Sequence, residues 1–190
     1  MRAPLRIRAL LIPALLIGCG PGAASVNGSV YGTELGAEDA VVSAVAPGDG
    51  SSFTQVWISS MSDFCLRGSG APIKDARILT LSLGIVAPDG TVVAANEAGV
   101  YQYDPAAFKP GVFKPGDRVA TALWANIAVC LLHAEVASGG TVHVTHVASG
   151  PDGITEMDGS FELPFGTGSL SGTFRASGCP AVNARVFYCR

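Results

Sequence analysis

Met157-Asp158-Gly159-Ser160-Phe161-Glu162-Leu163-Pro164-Phe165, followed after a short gap by Leu170-Ser171-Gly172-Thr173-Phe174-Arg175-Ala176, decides the fold. In the first run Met157, Gly159, Phe161, Leu163 and Phe165 fall on one side, and Asp158, Ser160 and Glu162 on the other. Leu170, Gly172, Phe174 and Ala176 alternate in the same way. A period of two marks strands that bury one face of a sheet. Matching the apolar faces predicts a hairpin with Phe165 opposite Leu170, Leu163 opposite Gly172 and Phe161 opposite Phe174, closed by the loop Gly166-Thr167-Gly168-Ser169. Ser160 then faces Arg175, which lies diagonal to Asp158 and Glu162, close enough for a surface ion pair worth at most about 1 kcal/mol. The polar face reads first as a solvated sheet surface.

The same grammar extends outward. From Val26 onward, short alternating runs are separated by Pro-Asp-Gly, Gly-Asp-Gly or Ser-Gly-Gly turns, the punctuation of antiparallel sheets. Between Ile78 and Val86, Leu79, Leu81, Leu83 and Ile85 share a face opposite Thr80, Ser82 and Gly84. Phe53–Ser60 and Arg118–Cys130 are apolar on both faces and rich in Val, Ile, Thr and Trp, which suits central strands. Trp57 and Trp124 lie in these runs and are expected in the core. One segment, Met61–Gly68, suggests a helical turn carrying Cys65, capped by Ser62 and stopped by Gly68. Between Tyr103 and Asp117 the chain repeats Phe-Lys-Pro-Gly from Phe108 and again from Phe113. Those phenylalanines are expected to cover an open end of the fold, or else to form a contact surface. The expected architecture is a single all-β domain, an antiparallel sandwich or partly closed barrel with one short helical turn.

At the other end of the chain Arg2, Arg6 and Arg8 precede an apolar segment, Leu10–Ile17, and the run ends Leu16-Ile17-Gly18-Cys19. The apolar segment has about eight to ten residues, against the ~20 needed to cross a bilayer, and Pro13 interrupts it. This is an export signal, and Cys19 resembles the lipid-attachment cysteine of a bacterial lipoprotein; the alternative is an ordinary secretory signal. The lipoprotein resemblance implies that residues 1–18 are removed and that Cys19 carries two or three acyl chains, enough to hold a protein on a membrane. It also implies, from Gly20, placement in the cell envelope at an outer membrane, on its periplasmic or surface face. Residues 19–25 read as a flexible tether of small residues, and 26–190 as the domain. Without the leader the chain has 12 − 3 = 9 basic and 15 acidic residues, a net charge of about −6. That balance argues against nucleic acid as a partner, since phosphate binding needs a basic face.

Of five cysteines, assigning Cys19 to lipid leaves Cys65, Cys130, Cys179 and Cys189, an even set for an oxidising compartment with three possible pairings. The preferred pairing is Cys65 with Cys130 and Cys179 with Cys189, worth about 4 and 3 kcal/mol in a loop-entropy model. None of the four has metal-ligand spacing, and no cofactor or metal is expected. Gly-x-Ser-x-Gly, His-Glu-x-x-His, P-loop and Gly-x-Gly-x-x-Gly signatures do not occur. His143 and His146, on a strand from Thr141 to Val147, are expected on opposite faces, with His146 in line with Val142 and Val144 at the rim or in the core; His133 stands apart. Asp49, Asp89, Asp152 and Asp158 each precede glycine and are expected in turns, with 152–158 the one segment where carboxylates could gather round calcium.

Val26-Asn27-Gly28-Ser29-Val30-Tyr31-Gly32, Cys65 after an early strand, and the closing hairpin with Cys179-Pro180 together resemble a group of uncharacterised, exported bacterial lipoprotein β-domains. The resemblance covers most of residues 26 to 180 and implies a compact β-domain; it carries over no activity, substrate or catalytic residue, and the tail ending in Cys189 departs from it. The leading functional expectation is a non-enzymatic envelope lipoprotein, its partner the membrane through Cys19 and an envelope or surface protein. A second is a carrier whose cavity Trp57, Leu81, Leu123 and Trp124 would line. A third, minor one is an envelope hydrolase with His133, His143 or His146 beside a Ser or carboxylate.

Overall fold

A computed structural model describes residues 22–46, 48, 50–67, 75–103, 113–128 and 131–179. The elements in chain order are β1 (Ala23–Val30), β2 (Thr33–Glu34), β3 (Asp39–Val45), β4 (Phe53–Ser59), α1 (Phe64–Arg67), β5 (Ala76–Val86) and β6 (Val92–Ala94). They continue with β7 (Gly99–Tyr103), β8 (Arg118–Ala128), β9 (Leu131–Val136), β10 (Thr141–Gly150), β11 (Gly153–Phe165) and β12 (Gly168–Gly178). β4, β5, β8, β10, β11 and β12 fall on the runs read as strands and α1 falls within Met61–Gly68, whereas β2, β3, β6, β7 and β9 lie where no strand is individually expected. Several boundaries move: β10 runs on to Gly150, β11 begins at Gly153 and β12 spans Gly168–Gly178, and β1 begins at Ala23, so residues 23–25, expected in the tether, are strand, with Ala23, Ala24 and Ser25 paired to Arg175, Phe174 and Thr173.

The strands follow the order β11-β10-β7-β8-β5-β4-β3-β12-β1-β2, and β12 also pairs β11, so the sheet returns on itself as a partly closed ring. Most pairings are antiparallel, as expected. The two exceptions are short parallel contacts where the sheet turns: Gln102 and Tyr103 of β7 with Val119 and Ala120 of β8, and Ser177 and Gly178 of β12 with Val41 and Val42 of β3. At the second corner β12 gives its edge to β1 as far as Arg175 and then to β3. A strand that switches neighbours in this way lets one sheet wrap a core and leaves fewer edges open.

Inside the ring Leu79, Leu81 and Leu83 of β5 meet Val56 and Ile58 of β4, Ala120, Ala122 and Trp124 of β8, and the apolar faces of β10, β11 and β12 in one buried cluster. Each leucine, isoleucine and valine among them contributes about 1.5–3 kcal/mol by leaving water. Two smaller clusters lie apart from it. Val41, Trp57, Phe64, Ala76, Ile78, Ile127 and Cys179 form one, with α1 as part of its cover. Phe53, Val86, Val92 and Val119 form the other, with Phe113 packed against them; Phe113 thus acts as the expected cover, whereas Phe108 lies outside the described residues.

The hairpin has the expected faces and a different register. Leu163 pairs with Leu170, Phe161 with Gly172, Gly159 with Phe174 and Asp158 with Arg175, and the turn is the two residues Gly166-Thr167. A shift of two residues keeps every side chain on its face, so face matching alone does not exclude it. What favours it is reciprocal packing: each phenylalanine lies opposite a glycine. A Cβ on Gly159 would stand 2.7 Å from Cζ of Phe174, and one on Gly172 would stand 3.1 Å from Cζ of Phe161. Pairing Phe161 with Phe174 would crowd two rings at one level. Gly159→Ala is therefore expected to destabilise the domain by about 1–3 kcal/mol through overpacking, read as a lowered urea midpoint; an unchanged midpoint would contradict this packing.

Candidate functional site

The densest collection of constrained groups lies at the corner where β12 passes from β1 to β3. Cys65, on α1, is bonded to Cys179, just past β12, with a Cα–Cα separation of 5.7 Å. This corrects the expected pairing of Cys65 with Cys130 and Cys179 with Cys189. Cys130 and Cys189 lie outside the described residues, as does Cys19. The topology explains the correction: the N–H of Cys179 donates to the carbonyl of Val42 (2.8 Å), which carries the chain onto β3 beside α1.

Asp39 organises the same corner. It is 3% exposed, and its Oδ2 accepts the N–H of Phe64 at 2.8 Å, capping the first turn of α1. That cap was expected from Ser62, which is exposed; a carboxylate from a strand 25 residues away takes its place, which no local pattern could show. The second oxygen, Oδ1, has no hydrogen-bond partner among the described residues. Burial pushes the carboxyl above its usual range, against the opposing pull of the N–H groups of Phe64, Ala40 and Gly22, and Asp63 adds repulsion. Ser59 is fully buried opposite Asp39 and takes the N–H of Met61 on its hydroxyl at 3.0 Å.

A raised carboxyl in the folded state costs stability once pH rises past the unfolded value, 3.8, and the cost is complete above the folded value. Asp39→Asn is therefore expected to shrink the loss of stability between about pH 4 and pH 7. Thermal melts at the two pH values check it, and an identical pH dependence in the variant would contradict the assignment.

At the first residue of this corner, Gly22 is buried between two strands. A Cβ there would lie 1.7 Å from the carbonyl oxygen of Ala40 and 2.9 Å from that of Arg175. Only glycine lets the backbone enter the seam so closely.

The outer face of β11 and β12 is polar, as expected, and exposed Ser25 of β1 and His143 and Thr145 of β10 continue it. Arg175 Nε lies 3.3 Å from Asp158 Oδ1 and 3.5 Å from Glu156 Oε1. Asp158 is directly opposite and Glu156, in place of the expected Glu162, is diagonal. Asp158 itself sits in β11 and not in a turn. These are exposed pairs, each worth at most about 1 kcal/mol. Beside them runs an open depression of about 490 Å³ whose lining includes Ala23, Ser25, Thr145, Asp158, Thr173 and Arg175. Its one cation is already flanked by two carboxylates, so it presents no anion site.

Comparison with family models, with curated proteins and with solved structures finds no match.

His143 is exposed, and so is His146, contrary to its expected place at the rim or in the core. A β-bulge between Val144 and His146 adds Thr145 to the strand and resets the alternation, so that Val142 and Val144 point inward while Thr145 and His146 are both exposed. His133 is exposed on β9 opposite Asn126. Among the described residues no three His, Cys, Asp or Glu gather as metal ligands, the 152–158 segment included. Of the four residues named for a carrier cavity, Leu81 and Trp124 are in the main cluster, Trp57 is in the separate corner cluster, and Leu123 is 39% exposed. They do not line one space.

A clasp with no sequence signature joins three other elements. Thr167, in the hairpin turn, donates from its hydroxyl and its N–H to Glu135 of β9 and accepts the N–H of Tyr31 at 3.1 Å. The ring of Tyr31 tilts against Trp124 at 5.9 Å. No helix among the described residues is long and apolar enough to cross a membrane.

Proposed function

We propose that this protein is an exported lipoprotein of the cell envelope, held on a membrane by acyl chains on Cys19, whose β-domain has a non-enzymatic structural or interaction role at that surface. The observation that carries the reading is Leu16-Ile17-Gly18-Cys19 at the exit of a short apolar segment behind Arg2, Arg6 and Arg8. The Cys65–Cys179 bond supports it from an independent direction, because such bonds persist in exported proteins and are rare in reducing cytosol. The net charge after removal of the leader, about −6 from 9 basic and 15 acidic residues, keeps nucleic acid off the surface and leaves the membrane anchor as the defined partner.

The test is mass spectrometry of the amino-terminal peptide from membranes, together with detergent-phase partitioning. A mature chain beginning at acylated Cys19 and entering the detergent phase is the expected result, and Cys19→Ser should abolish both. An uncleaved, unmodified amino terminus, or a cytosolic protein with Cys65 and Cys179 reduced, would overturn the proposal.

A further inference from the structure

The lipid anchor of the proposed reading carries a consequence for how the domain stands on its membrane. Only Gly20 and Pro21 lie between Cys19 and Gly22, and Gly22 is already buried in the seam between Ala40 and Arg175. Three extended residue steps span about 10 Å at most. The domain therefore has almost no leash: the slack expected across residues 23–25 is absorbed into β1, which is paired to β12 from Ala23 onward.

We propose that the corner built from Gly22, Asp39 and α1 is the membrane-apposed surface, held within about 10 Å of the lipid headgroups. The inference rests on acylation of Cys19 and adds the orientation. Asp39 ties α1 to this corner through the N–H of Phe64, so exposed Ser62 lies close to the bilayer. β5 starts in the corner cluster at Ala76 and reaches the far cluster at Val86; ten residue steps at ~3.3 Å put the following turn, at Pro88–Gly90, about 30 Å away. Contact comes from the short spacer and not from insertion, since Glu38, Ser62 and Asp63 are exposed at the corner and an anionic membrane surface does not attract carboxylates. A partner would then have to approach the outward-facing turns or the flanks of the ring.

The experiment places a fluorescent non-natural amino acid at Ser62 or at Pro88 in the full-length, acylated protein. The protein is reconstituted in phosphatidylethanolamine and phosphatidylglycerol vesicles that contain a headgroup-nitroxide lipid. Quenching is expected to be at least about threefold stronger at Ser62 than at Pro88, given the separation along β5. A spacer of about twenty Gly and Ser residues inserted after Gly20, with a span of about 25 Å, should bring the two close to equal. Equal or reversed quenching without the spacer overturns the orientation. Flotation and the mass of the Cys19 peptide from the same sample separate the two ideas: an unacylated Cys19 sinks both, while an acylated, floating protein without the contrast sinks only the orientation.

Discussion

Loss of the Cys65–Cys179 bridge, in a Cys65→Ala, Cys179→Ala double variant, is expected to lower the unfolding free energy by about 3–5 kcal/mol. The bond joins residues 114 apart, and closing so long a loop removes much of the freedom of the unfolded chain; the loop-entropy model gives about 5 kcal/mol before any native strain. For a domain of this size the loss corresponds to a fall in Tm on the order of 10 °C. It should be largest for the corner itself, because the bond holds the end of β12 against α1 beside the short β12–β3 contact that closes the ring. Reversible urea unfolding with and without the bond measures it. A change below about 1 kcal/mol would show that the corner is held by packing alone.

The second large effect is Trp57→Ala, expected to cost about 3–5 kcal/mol. Trp57 is 1% exposed although it points away from the main core. Its indole fills the corner cluster beneath α1, and truncation leaves a cavity that Val41, Phe64 and Ile78 cannot fill without moving. Leu123→Ala, on a residue 39% exposed, is the comparison and should cost under about 1 kcal/mol. Because Trp57 and Cys179 share one cluster, the Trp57 and disulfide variants should be non-additive by about 0.5 kcal/mol or more. Equal effects of Trp57→Ala and Leu123→Ala on the urea midpoint would mean that the corner is not a packed layer.

Much of this fold is legible in the sequence because a half-buried strand has to alternate. Leu79, Leu81 and Leu83 announce β5, and the two-faced apolar runs announce β4 and β8 as central strands. The errors are of one kind. The hairpin register, the cap of α1, the inward reading of His146 and the cysteine pairing each depend on a residue distant in sequence or on one inserted residue. His146 turns outward because Thr145 is extra in the bulge. Ala23-Ala24-Ser25 reads as linker because its residues are small, yet β12 has an edge that must be covered as far as Arg175. Asp39 and Glu135 leave no local trace at all, since each works on a group brought to it by topology.

By itself the sequence determined a β-domain of period-two strands and an acidic chain, and it carries the leader-like layout ending in Cys19 on which the proposed function rests, because alternation, residue layout and charge are properties of neighbouring residues. Only the tertiary structure decided that Cys65 bonds Cys179, where the ring closes and at which corner β1 begins. Those depend on β12 exchanging β1 for β3 along one edge, a choice of partner that hydrogen bonds between distant strands make and that no stretch of chain encodes alone.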